Sequence, residues 1–188
     1  MREKILQAIR KFEIKTYRVV EESTEGAELY FIKKDLDMRR RKKVASSNVV
    51  IYRDFEDNGK KMRGSANIQI FPEMTQEDVD KAISGAYYAA SFVKNPYYEL
   101  VEGKKEDKIL VESSLQGKSL EEIGNGFVEA LYSVDNGKEA FINSAEFFMS
   151  KTSTAIYNSE GVDVSYEKNS VSGEFIVQCI TPQDVEQY

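Results

Sequence analysis

The apolar positions of this chain change period several times, and each change marks an element. Ile5, Ile9 and Phe12 fall on one helical face with Leu6 beside them, which predicts a short amphipathic helix over 2–12. Tyr17-Arg18-Val19-Val20 then predicts a modest strand. Ala27–Ile32 alternates Ala27, Leu29 and Phe31 against Glu28, Tyr30 and Ile32, so both faces carry apolar groups and the strand should be covered on both sides. Val49–Arg53 and Ser65–Ile70 predict two further strands. Between them, Asp57-Asn58-Gly59 predicts a tight hairpin turn, because Asn and Gly tolerate positive φ.

After Pro72 the period becomes helical. Thr75-x-x-Asp78 resembles a capping box with Asp in the acidic place, and Val79, Ile83, Ala86, Ala90 and Val93 form one stripe. The small residues Ala82, Gly85, Ala86, Ala89 and Ala90 suit a helix lying close on a sheet, and Asn95-Pro96 should stop it. Residues 99–108 are charged and lack periodicity, the pattern of a linker. Ser119-x-x-Glu122 is a full capping box, and the helix it opens should bury Ile123, Phe127, Ala130, Leu131 and Val134 before Asn136-Gly137 ends it. From Ala140 the period is two. Ala145–Cys179 reads as a strand-turn-strand centred on Tyr157-Asn158-Ser159-Glu160-Gly161, with Gly161 supplying the positive φ. Phe175, Val177 and Cys179 form one face of the last strand.

This order predicts an α+β protein, mainly antiparallel sheets with packed helices, in two lobes at about 1–100 and 104–188. Ala27-Glu28-Leu29-Tyr30-Phe31 and Ala145-Glu146-Phe147-Phe148-Met149 share a pattern, which raises the idea of a weak duplication.

Composition narrows the chemistry. An apolar fraction of 41% allows a real core, while a net charge of −6 disfavours broad attraction to nucleic acid or anionic membrane. Histidine is absent, so the imidazole zinc ligand and every Ser-His or Cys-His arrangement are excluded within the chain. The single cysteine excludes an internal disulfide and suits a cytosolic home. The N-terminus has no apolar signal core, and the longest mostly apolar run, Ala86–Val93, is far too short to span a bilayer.

Each motif that suggests chemistry has a plainer competitor. Gly124-x-Gly126 is half a dinucleotide fingerprint, but Glu129 holds the third glycine position and no strand immediately precedes it; close helix packing is favoured. Arg39-Arg40-Arg41-Lys42-Lys43 is the densest basic run. It fits a solvated connection or a charge-protected edge strand first, and phosphate, acidic-peptide or partner contact second. Cys179 fits a buried structural thiol on an apolar face. Glu21, Glu22, Asp35, Asp37, Asp78 and Asp80 could hold a glycosidase-type carboxylate pair, though most should be surface charge. Tyr87, Tyr88, Tyr97 and Tyr98, on both sides of Pro96, could line a peptide groove or pack between two subdomains.

Three stretches together resemble the N-terminal portion of the TldD/PmbA family, also called the modulator of DNA gyrase family. Ala27-Glu28-Leu29-Tyr30-Phe31 is similar to the family's early Ala-Glu strand. Val49–Ala66 with the Thr75–Val93 helix resembles its sheet hairpin and following helix. Ala145–Cys179, with Asn158-Ser159-Glu160-Gly161, is similar to its Asn-Ser-x-Gly strand-turn-strand. The resemblance implies a cytosolic, metallopeptidase-related protein implicated in proteolysis of peptides and small proteins. It also implies a homodimer, or a heterodimer of a TldD-type subunit carrying a His-Glu-x-x-x-His zinc motif with a PmbA-type (TldE) subunit lacking it. No zinc motif transfers to a chain without histidine, so no catalytic, cofactor-binding or metal residue is assigned here. Zinc would lie in the full-length protein or in the partner subunit. The matched region stops short of a further C-terminal family domain, as expected of a fragment.

The expected function is therefore a non-catalytic N-terminal part of a TldD/PmbA-like peptidase assembly, contributing cavity walls and subunit contacts and helping to admit peptide. The alternatives are a stand-alone binding or scaffold module, or a nucleic-acid-associated regulator using residues 39–43.

Overall fold

A computed structural model of the chain describes residues 1–104, 113–137 and 139–179, together with the backbone of Glu186–Gln187. The elements are α1 (Arg2–Lys11), β1 (Thr16–Ile32), β2 (Asp35–Asp57), β3 (Lys60–Ile70), α2 (Gln76–Ala89), a 3-10 turn (Ala90–Phe92), β4 (Asn95–Pro96), α3 (Leu120–Ser133), β5 (Ala140–Asn158), β6 (Asp163–Cys179) and β7 (Glu186–Gln187). The strands bond in the order β4-β3-β2-β1-β5-β6-β7. The protein is α+β, and its sheet is mostly antiparallel.

Two compact units form, but not by a break between 1–100 and 104–188. One comprises Met1–Ser23, Ala45–Lys108 and Ser153–Tyr166; the other comprises Thr24–Val44, Ile109–Thr152 and Glu167–Tyr188. Strand length explains the interleaving. β1, β2, β5 and β6 run for 17, 23, 19 and 17 residues, and each supplies residues to both units.

The first unit is built on the predicted helices and hairpin. Ile5, Ala8 and Ile9 of α1, with Val79, Ile83 and Ala86 of α2, pack with Val19, Val49, Ile51, Ile70 and Tyr157 from the strands. Each aliphatic side chain fully removed from water here contributes about 1.5–3 kcal/mol. Asn58 and Gly59 have φ of 51° and 72°, the paired left-handed residues of a tight hairpin loop. They set the register that runs from Asp57↔Lys60 to Ser47↔Ile70. α2 opens with a complete capping box: the Asp78 N–H donates to Thr75 Oγ1 at 3.2 Å, and the Thr75 N–H donates to Asp78 Oδ2 at 3.0 Å. The expected stripe holds through Ala90 and then fails at Val93, which is 36% exposed because the 3-10 turn has changed the period.

The second unit packs α3 on the sheet. Its core is Ala27, Leu29, Leu120, Ile123, Ile142, Ala145, Phe147 and Met149. Ser119 and Glu122 form the predicted capping box, and Gly137 takes the predicted positive φ, 64°. The buried face of α3 is not the one expected. Leu120, Ile123 and Gly124 face inward, with Val128 and Leu131 beside them, while Phe127 and Val134 are exposed. The helix turns Gly124 to the sheet because only a hydrogen fits there. A Cβ at Gly124 would lie 2.8 Å from Met149 Cε and 3.2 Å from Leu29 Cδ1.

The repeated pattern at Ala27–Phe31 and Ala145–Met149 has a simple cause. β1 and β5 are neighbours, and both stretches line this one core, where Phe31 and Phe147 meet edge to face at 6.2 Å. Shared burial accounts for the pattern without a duplicated unit.

Candidate functional site

The chemistry a zinc site needs is not assembled from this chain. Histidine is absent, and among the described residues no three Cys, Asp or Glu side chains stand together as a metal-binding group. The metal implied by the family resemblance does not fit these residues.

The carboxylates singled out by the sequence are occupied structurally or exposed. Asp78 caps α2. Asp80, largely buried, accepts from Lys11 Nζ at 2.6 Å and Gln76 Nε2 at 2.8 Å, and the Lys11 bond holds its carboxyl below the ordinary range. Glu21 accepts from the Tyr157 hydroxyl at 3.1 Å. Burial first, and Glu21 second, push that phenol well above its usual range, so it stays a proton donor. Arg2 lies over the Tyr157 ring at 4.3 Å and forks onto Asp163 at 2.9 and 2.7 Å. This tyrosine therefore fastens α1 to the strands. Glu22, Asp35 and Asp37 are exposed.

Tyr97 and Tyr98 do not bridge two subdomains. They close on Arg63, within the first unit. Arg63 is 4% exposed and sits 4.5 Å from the Tyr97 ring centre and 5.6 Å from those of Tyr52 and Tyr98. Its guanidinium donates to both Asp54 carboxylate oxygens at 2.7 and 2.9 Å, and to the Tyr98 carbonyl at 2.7 Å. This buried clamp ties the chain after α2 to β3; sequence reading missed it.

The Asn158–Gly161 turn is a second anchor. Asn158 Oδ1 accepts the N–H of Glu160 at 2.9 Å and of Val162 at 3.0 Å, and Gly161 takes φ of 86° as expected. The Asn158 amide nitrogen donates to the Val101 carbonyl at 2.7 Å, and the Gly103 N–H donates to the Glu160 carbonyl at 2.9 Å. Part of the expected linker 99–108 is thus docked on the turn; its residues 105–108 lie outside the described residues. A Cβ at Gly103 would fall 1.9 Å from the Gly161 carbonyl oxygen, so glycine is required at the contact.

Gly124 and Gly126 lie inside α3, away from its N-terminus, and make no phosphate cradle. Cys179 is half-buried, not fully buried as expected, and Phe175 on its strand is 48% exposed. No described helix is long and apolar enough to cross a membrane.

Of the two structural expectations for the basic run 39–43, connection or charge-bearing edge strand, the second holds. The run lies in β2, and Asp35–Val44 is exposed throughout. Three of its cations meet acids on β1. Arg41 pairs with Glu25 at 2.8 Å, while Arg40 and Lys42 pair with Glu28 at 3.4 and 3.2 Å. The Lys42 hydrogen bond, with one from Tyr30, holds the Glu28 carboxyl below its usual range.

No protein-family profile matches the chain, and no curated protein matches it. Solved structures do. A protein from Thermotoga maritima provisionally assigned as a modulator of a DNA gyrase superposes with a TM-score of 0.69 at 11% identity, over 98% of this chain and 40% of that one. TldE from Thermococcus kodakarensis gives 0.65 at 17% identity, over 98% and 42%. A protein from Bacteroides thetaiotaomicron with the same provisional assignment gives 0.68 at 10% identity, over 98% and 42%. The fold is that of these proteins, and the chain spans about two fifths of their length.

Proposed function

We propose that this chain is the non-catalytic N-terminal part of a TldD/PmbA-like peptidase assembly that acts on peptides or small proteins in the cytoplasm. It supplies cavity walls and subunit contacts and helps to admit extended peptide. Its partner is a TldD/PmbA-type subunit, in a homodimer or a heterodimer. One observation carries the reading: a fold shared with TldE over 98% of the chain, in a sequence without a single histidine. Zinc belongs, on this reading, to the partner or to a further part of the same protein.

The test is direct. The chain, loaded with zinc and dialysed, should retain no stoichiometric metal and should not cleave an unstructured polypeptide in a chelator-sensitive way. Robust zinc-dependent cleavage by the chain alone would overturn the non-catalytic assignment.

A further inference from the structure

β2 carries a stretch of open strand edge. β3 pairs with β2 only from Ser47 to Asp57, and β1 is the other neighbour of β2. Among the described residues no strand runs along the outer side of Asp35–Val44. At about 3.3 Å per residue this is roughly 33 Å of strand edge, with alternate N–H and C=O groups turned outward. All ten of its residues are exposed.

The side chains give this edge two distinct faces, since alternate residues point to opposite sides. Leu36, Met38, Arg40, Lys42 and Val44 share one face. Arg40 and Lys42 are both satisfied by Glu28, so that face is left with the exposed apolar groups of Leu36, Met38 and Val44, at 50%, 41% and 58%. Asp35, Asp37, Arg39, Arg41 and Lys43 share the other face. There Arg41 is matched by Glu25, and Arg39 and Lys43, four residues apart, meet no acid among the described residues.

We propose that the Asp35–Val44 edge of β2 is a docking site for an extended acidic segment with alternating carboxylate and apolar residues, added as a further strand. Main-chain hydrogen bonds supply the affinity. Arg39 and Lys43 take carboxylates on one face, and Leu36, Met38 and Val44 cover apolar side chains on the other. The same charges select the occupant. A second copy in antiparallel register about Arg39 would gain Asp35 opposite Lys43 and Asp37 opposite Arg41, but would set Arg39 against its own equivalent and place Leu36 and Met38 opposite Lys42 and Arg40, so self-pairing is the competing outcome of the test. An acidic strand centred on Arg39–Lys43, clear of Asp35 and Asp37, avoids both conflicts. Nucleic acid would answer the cations but not the open backbone or the apolar face. This reading does not depend on the peptidase proposal, so either can fail alone.

The test is a fluorescence-anisotropy titration of the 188-residue chain with a ten-residue peptide alternating glutamate and valine. Binding should be saturable and should weaken several-fold as salt is raised. The R39E/K43E double variant should lose at least about tenfold in affinity, as expected when two charge-assisted contacts are reversed, with its melting temperature unchanged. A peptide N-methylated at alternate backbone nitrogens, so that it cannot pair, should lose binding to the unaltered chain. Equal binding of the methylated peptide, or equal binding of single-stranded DNA, would overturn strand addition in favour of a general anion surface. Salt-sensitive self-association that R39E/K43E abolishes would overturn it in favour of a second copy.

Discussion

Asp54→Ala should destabilise the chain by about 3 kcal/mol, the cost of leaving a buried cation without its partner. The side chain removed is itself one-third exposed, but the one left behind is Arg63, at 4%. Tyr52, Tyr97 and Tyr98 screen the guanidinium from water, and only the Tyr98 carbonyl would still accept from it. The effect carries a pH signature. The hydrogen bonds from Arg63 hold Asp54 below the ordinary carboxylate range, so its folded pKa lies below its unfolded one. Stability from this group is therefore fully present above the unfolded value of about 3.9 and is lost as pH falls through the folded value. Urea denaturation should show the full difference between the unaltered chain and Asp54→Ala at pH 7, and a shrinking one below about pH 4. A difference that stays constant across that range would mean the pair contributes packing alone.

Gly64→Ala should cost a similar amount, about 3 kcal/mol, at the upper end of what forced overpacking does. A Cβ there would sit 1.8 Å from the Ala90 carbonyl oxygen and 2.8 Å from that of Val93. Both obstacles are backbone and cannot swing aside. Either β3 or the 3-10 turn must move, and Ala90 is fully buried. Gly85→Ala is the matched control. It lies in α2 with nothing within 4 Å of its would-be Cβ, so alanine should stabilise by roughly 0.5–1 kcal/mol through helix propensity. Opposite signs in parallel thermal melts would separate close packing from backbone freedom. Equal small effects would contradict the packing claim.

These two sites show which features the sequence made legible. Signals contained in a few adjacent residues came through: the boxes at Thr75 and Ser119, the Asn58-Gly59 loop, and the left-handed Gly161. Each is set by local hydrogen bonding or sterics, so no distant partner is needed to see it. Arg63 was invisible because its partners lie 9 and 35 residues away, and nothing next to it distinguishes it from Arg53. Sequence alone leaves the run 39–43 open between connection and edge strand for another reason. Alternation reveals a strand only when one face is buried, and Asp35–Val44 is exposed on both faces. The same blindness made β1 look like two short strands, since Glu21–Gly26 carries little apolar pattern between Val20 and Ala27. The rotated face of α3 was missed because a glycine, with no side chain to count, stands on its buried side.

The Asn158–Gly161 turn was first a family marker and is now also a docking post for Val101 and Gly103. The fold likeness rests instead on superposition over 98% of the chain. The proposed function is one of assembly, for a sequence without a zinc-binding histidine.

Sedimentation velocity of the chain mixed with the TldD-type subunit of the same organism tests that claim most directly. The account predicts a single faster-sedimenting complex of fixed stoichiometry. Two independent boundaries, unchanged as the concentrations are raised, would contradict it.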